Sequence, residues 1–159
     1  MYESETEVEM PWVYNDAGYR ASGFRAKHGN NVVIALAIAT GQDYRTVYEE
    51  IYRRQNDFVH KTRSKRIKKK GGAISEVGVW PEVSKQYLVD LGWTWTSVMG
   101  IGTGTTMHLT YEEVPDEPVV LCSISRSLVA VMHGVVQATS DPSRNGSRAI
   151  YGYWLPPMA

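Results

Sequence analysis

The chain has 159 residues, 43% hydrophobic and 21% charged, with 17 basic and 17 acidic side chains. That length suits one domain with a buried core, and the composition excludes disorder of the chain as a whole. A formal net charge of zero gives no bulk attraction to an anionic partner, so a nucleic-acid contact must come from local clustering.

Residues 1–11 carry Glu3, Glu5, Glu7 and Glu9, no basic residue, and close on Pro11. They read as an extended acidic arm and lack the basic start of a secretory signal. Residues 12–29 hold Gly18, Gly23 and Gly29 among scattered aromatics and read as an irregular lead-in. The run from Asn31 to Thr40 is apolar between its ends and is closed by Gly41. Asn30 or Asn31 suits an N-cap and Gly41 a C-terminal stop, which predicts a short helix buried on all sides. Its β-branched residues leave a buried strand as the alternative.

Asp43 can cap a second helix over 44–58, with Val47, Ile51 and Phe58 inward and Glu49, Glu50, Arg53 and Arg54 outward. Residues 59–78 break this pattern; 59–72 are expected to form a basic loop, mobile over 61–71. Lys61, Arg63, Lys65, Arg66, Lys68, Lys69 and Lys70 place seven cations in ten residues, and Gly71-Gly72 follows. Three readings stand open: a solvated loop, a contact for a phosphate backbone or an acidic protein, and a seat for the Glu3–Glu9 arm. Pro81 opens a third helix, about 80–91, with Val83, Tyr87, Leu88 and Leu91 inward and Gly92 as its stop.

The second half alternates like strands. Trp93 to Met99 is followed by a glycine-rich bend, Gly100 to Gly104, then a short strand over Thr106 to Leu109 and a turn over Thr110 to Glu113. Val119 to Ile124 and Leu128 to Met132 are strand-like. His133-Gly134 suits a hairpin turn back into Val135 to Thr139. Residues 141–146 form a loop, and Ala149 to Trp154 a closing strand. Helices first and antiparallel strands second give an α+β class.

Asn30-Asn31-Val-Val-Ile-Ala-Leu-Ala-Ile-Ala-Thr-Gly41, with Asp43-Tyr44 and Val47-Tyr48, resembles a short bacterial and phage branch of the papain-like cysteine peptidases. In that branch the helix begins Gly-Asp-Cys or Asn-Asp-Cys before a similar Ala-Ile-Ala-Thr-Gly segment. Leu91-Gly-Trp93, the bend to His108-Leu109, Ser125-Arg126-Ser127-Leu128, Gly134-Val-Val136, Asp141-Pro-Ser-Arg144 and Tyr151-Gly-Tyr-Trp154 continue the likeness. The resemblance spans residues 29–154 and implies a papain-like domain, here 12–159. It also implies a bacteriophage or mobile-element origin, and relatives carry a similar basic insertion.

A cysteine peptidase needs a thiolate, a base beside it and a group that orients the base. By the resemblance these positions fall on Asn31, Ser127 and Ala138. A carboxamide and a serine hydroxyl near neutral pH can supply neither the nucleophile nor the base. Cys122, the single cysteine, lies in an apolar strand and reads as an inert buried thiol rather than a substitute nucleophile. His28, His60, His108 and His133 show no metal-ligand spacing, and Gly100–Gly104 precedes no helix that could seat a phosphate. No metal and no cofactor is expected.

The sequence therefore predicts a pseudoenzyme that binds a protein or nucleic-acid partner, through the basic segment. Its alternatives are a structural virion or assembly protein and a hydrolase with displaced catalytic residues. With no apolar run near the roughly 18 residues of a membrane span, the expected place is the host cytoplasm or the virion.

Overall fold

The computed structural model describes residues 10–23, 30–100, 104–105 and 107–158. Glu3 to Glu9, His28, Gly29, Thr106 and the middle of the glycine-rich bend, Ile101 to Thr103, lie outside the described residues.

The apolar run forms helix α1 (Asn31–Thr40), with Val32 to Ile38 all buried. Asn30, not Asn31, is its N-cap: Asn30 Oδ1 accepts from the Val32 and Val33 N–H groups at 2.9 and 3.3 Å. Gly41, in the left-handed region at φ 73°, ends it, and the Gln42 N–H bonds to the Ala37 carbonyl. Helix α2 (Tyr44–Lys61) starts on the Asp43 cap, which accepts from the Thr46 N–H at 2.8 Å, and runs three residues past its expected end.

The expected basic loop is a correction. Its first residues complete α2, and Lys65–Lys70 form helix α3, capped by Ser64, which accepts from the Ile67 N–H at 3.2 Å. Lys and Arg are good helix formers when their charged ends reach water. Buried Ile67 alone anchors α3 to the core. A single turn, α4 (Ile74–Val77), follows, then α5 (Pro81–Asp90) with Pro81 at its start. Val83, Tyr87 and Leu88 face inward as expected, but Leu91 lies beyond the helix at its C-cap and is 40% exposed.

The strands are β1 (Trp12–Tyr14), β2 (Thr94–Ser97), β3 (Met99–Gly100), β4 (Gly104–Thr105), β5 (Met107–His108), β6 (Val119–Ile124), β7 (Ser127–Met132), β8 (Val135–Ala138), β9 (Ala149–Ile150) and β10 (Gly152–Leu155). Six make one sheet in the order β1-β8-β7-β6-β10-β2. Every pairing in it is antiparallel except β1 with β8, which is parallel. The sheet is thus mixed, and the irregular lead-in supplies an edge strand. The acidic arm does not end as a separate unit at Pro11. Met10 is buried against the sheet, and the Pro11 carbonyl accepts from the Val136 N–H at 2.7 Å.

His133 and Gly134, at φ 50° and 79°, close the β7–β8 hairpin. The closing strand is split in two at Tyr151. At Gly152 a Cβ would meet the Trp95 ring at 2.2 Å, so only glycine lets β10 lie under that indole.

Period-two alternation sorts the sheet into two faces. Leu121, Leu128, Ala130 and Trp154 join the cluster around α1. Val120, Cys122, Ile124, Val129, Val131 and Val136 pack on the other face with Leu109, Val114 and Ile150. The sheet is covered on both sides and the class is α+β. No helix among the described residues is long and apolar enough to cross a membrane.

Candidate functional site

The start of α1 meets the sheet where β7 begins. A cavity of about 260 Å³ opens there, lined by Asn31, Ile34 and Ala35 of α1, by Ser127 to Val129, by Gln137 and Ala138, and by the loop that follows β8. Asn31, Ser127 and Ala138, far apart in sequence, therefore border one space. Asn31 and Ser127 share a second, more open cavity of about 290 Å³ with Asn30, Ile74 and Arg126.

The three positions do not approach from the same side. Ala130 packs with α1 and pairs with Gln137, so Gln137 takes the α1-facing position in β8. Ala138 follows on the opposite face, packed on the Cys122 cluster. Gln137 Oε1 accepts from Asn15 Nδ2 at 3.1 Å, which ties the chain beyond β1 to the rim. Ser127 enters at the strand end, after Arg126 in the left-handed region at φ 60°, and its hydroxyl donates to the Leu128 carbonyl at 3.3 Å. Asn31 is exposed. The cap on α1 belongs to Asn30, which occupies two first-turn N–H groups. Those two amides are engaged within the protein.

Among the described residues neither cavity has a cysteine or histidine in its lining; the ionisable groups of the first are Asp141, Arg144 and Arg148. Cys122 is fully buried on the sheet face away from α1, and burial pushes its thiol up to about 12. A thiolate is the nucleophilic form, so this side chain is unsuited to attack near neutral pH.

The rim segment after β8 is held by its own hydrogen bonds. Asp141 Oδ1 accepts from the Ser143 N–H at 3.0 Å, and the Ser143 carbonyl accepts from the Gly146 and Arg148 N–H groups, each at 3.0 Å. Arg144 and Asn145 both have positive φ, 53° and 57°. For arginine that backbone costs on the order of 1–3 kcal/mol and persists only where neighbours fix it.

Sequence reading missed a second polar cluster. Glu113 Oε1 accepts from the His108 N–H at 3.1 Å and lies 3.2 Å from His108 Nδ1, while Oε2 accepts from the Thr110 hydroxyl at 2.9 Å. Burial works against ionisation of Glu113, but hydrogen bonds from Thr110 and His108 outweigh it and its pKa is lowered. The Thr-x-x-Glu spacing over 110–113 was the available signal. The cluster closes the turn after β5.

The basic segment lies apart from the first cavity. Lys61 is paired with Asp57 at 3.2 Å. Arg63, Lys65, Arg66, Lys68, Lys69 and Lys70 are exposed. The Arg66 guanidinium lies 5.3 Å from the centre of the Trp80 ring, and Trp80 Nε1 donates to the Gly71 carbonyl at 3.0 Å. Within α3, residues 65 and 68, 65 and 69, 66 and 69, and 66 and 70 are like-charged neighbours. Each such pair opposes the helix by about 0.2–0.5 kcal/mol. Lys68 to Lys70 in the last turn offset part of this against the helix dipole.

Of the aromatics near the C-terminus, Trp154 is core and Tyr151 is exposed at 36%. Among the described residues no three His, Cys, Asp or Glu side chains are grouped as a metal site. No protein-family model, no curated protein and no solved structure matches this chain.

Proposed function

We propose that this chain is a catalytically inactive protein of papain-like fold, of bacteriophage or mobile-element origin, that works by binding a protein or nucleic-acid partner. One observation carries the reading. Asn31 and Ser127, the positions where the resemblance expects nucleophile and base, share a cavity whose described lining residues offer neither thiol nor imidazole. A cleft of this shape without that pair can hold a ligand but has no means to activate a nucleophile. The remaining thiol is buried on the far face of the sheet, which argues against a displaced cysteine nucleophile.

The partner contact falls on α3 and the residue before its cap. Five cations on one short helix, with a sixth at Arg63, form an electrostatic surface whose mutual repulsion a polyanion relieves. The aromatic seat of Arg66 keeps part of that surface in place.

The test has two arms. Purified protein is assayed against a broad peptide and protein substrate panel and an activity-based thiol probe; turnover or labelling overturns the non-catalytic reading. Binding to duplex DNA and to RNA is then measured across salt concentrations. A linear fall of log affinity with log salt, flattened when Lys65, Arg66, Lys68, Lys69 and Lys70 are replaced by Gln, supports a nucleic-acid partner. No binding at low salt removes nucleic acid and leaves an acidic protein as the partner class.

A further inference from the structure

Arg144 and Arg148 border the same cavity as Asn31, Gln137 and Asp141. They are close enough that, after burial, the charge of Arg144 lowers the proton affinity of Arg148. Among the described residues neither guanidinium has a carboxylate within ion-pair distance. The Nε of Arg148 is buried and donates to no described acceptor. Two neighbouring guanidinium groups on one cavity, with no described carboxylate partner, form an arrangement that an oxyanion satisfies, because guanidinium groups bind planar oxyanions through paired N–H bonds.

Asp141 narrows the chemistry. Its carboxylate borders the cavity, and among the described residues its Oδ1 alone is engaged, by the Ser143 N–H. A carboxylate at the rim repels a bare polyanion and accepts from an N–H. The space of about 260 Å³ is several times the roughly 30 Å³ of one water and falls below the 300–1,000 Å³ of drug-sized pockets. It suits a chain end rather than an extended ligand.

We propose that this cavity binds a carboxylate flanked by an amide N–H, the chemistry of a peptide C-terminus, with Arg144 and Arg148 holding the carboxylate and Asp141 accepting from the amide. The inference deepens the binding-protein reading and rests on it, but uses residues that the basic helix does not share.

The test follows the Arg148 Nε–Hε resonance of the full chain by NMR. N-acetylglycine, acetate and inorganic phosphate are titrated separately at constant ionic strength, with chloride as the balancing anion. The expected result is a saturable shift with N-acetylglycine, weaker binding of acetate and weaker still of phosphate. Arg148→Lys keeps the charge but removes the planar paired donors, and should weaken N-acetylglycine by about tenfold or more. Arg144 is exposed, so Arg144→Ala leaves the core intact and should weaken it by a similar factor. Asp141→Asn removes a repelling charge, so it should tighten acetate while narrowing or abolishing the preference for N-acetylglycine over acetate. No saturable shift, equal affinities in wild type and Arg144→Ala, or tighter binding of phosphate than of N-acetylglycine overturns the proposal. Peptide turnover would instead refute the non-catalytic reading, and an Arg148 resonance that ignores every anion refutes this inference alone.

Discussion

The buried side chain of Gln55 is bonded to the backbone of Trp80: Gln55 Oε1 accepts the Trp80 N–H at 2.9 Å. The same amide donates from Nε2 to the Gly78 carbonyl at 2.7 Å and to the Gly72 carbonyl at 3.2 Å. One fully buried glutamine on α2 thereby organises the segment that follows the basic helix. A buried polar group stabilises only when its partners are all present.

Gln55→Leu removes the acceptor and both donors at once and strands backbone groups in the core. We expect a loss of about 2–4 kcal/mol in urea unfolding, since each buried unsatisfied group costs about 1–3 kcal/mol. Hydrogen exchange should show amides of residues 65–80 opening earlier than in wild type. A variant within about 0.5 kcal/mol of wild type would show that the network is dispensable.

Asn30 and Asn31 are adjacent but should behave differently. Asn30→Ala removes the acceptor for Val32 and Val33 N–H and should cost about 1 kcal/mol, up to about 2. Asn31 is exposed, with no side-chain hydrogen bond among the described residues, so Asn31→Ala should stay within about 0.5 kcal/mol. Chemical denaturation of the two variants gives the answer, and the reverse ranking would mean that the cap is misassigned. Asn31→Cys should be equally well folded and show no peptide turnover, because no described residue bordering the cavity carries an imidazole.

Cys122 should be unreactive in the folded protein. It has no exposed surface and its pKa is pushed up to about 12 by burial. An aromatic disulfide reagent at pH 8 should label it only after denaturant is added. The raised pKa also sets an alkaline limit. The neutral thiol's contribution is complete below its ordinary value of 9.0 and is lost as pH rises from there toward 12. Rapid labelling of native protein would contradict this burial.

Acid should destabilise the fold through a defined set of carboxylates. Glu50 is lowered chiefly by its hydrogen bond with Arg53, then by Arg54; Asp90 chiefly by Arg54, then by Gln86. Asp43 is lowered by its Thr46 cap bonds. A folded pKa below the unfolded value gives stability that is present above the unfolded pKa and lost as pH falls through the folded one. Their ordinary values are 3.8 for Asp43 and Asp90 and 4.5 for Glu50. The urea midpoint should therefore hold near neutrality and fall below about pH 4.5, and Glu50→Gln should shrink that fall. A midpoint flat from pH 6 to 3 would show that these bonds carry no net stability.

Elements whose signals are local were legible along the chain. An unbroken apolar run between an asparagine and a glycine marked a buried element, and the flanking caps favoured the helix that α1 forms over the buried strand its β-branched residues also allowed. Pro81 marked the start of α5, His133-Gly134 the β7–β8 turn, and the apolar strand around it the burial of Cys122. Tertiary structure decided what depends on partners distant in the chain. Three residues, Trp12 to Tyr14, show no alternation and become a strand only because β8 offers a free parallel edge. The cations of 61–70 hide a helix, since one apolar residue, Ile67, gives no period to read and needs the core beside it. Leu91 looked inward by spacing and is outward because the helix stops one residue earlier. Gln55 carries no sequence mark of burial; its place is set by carbonyls 17 and 23 residues away. The cavity itself is the clearest case. Asn31, Ser127 and Arg148 meet because α1 packs across β7 and the rim loop folds back, and no local pattern records where separate segments converge.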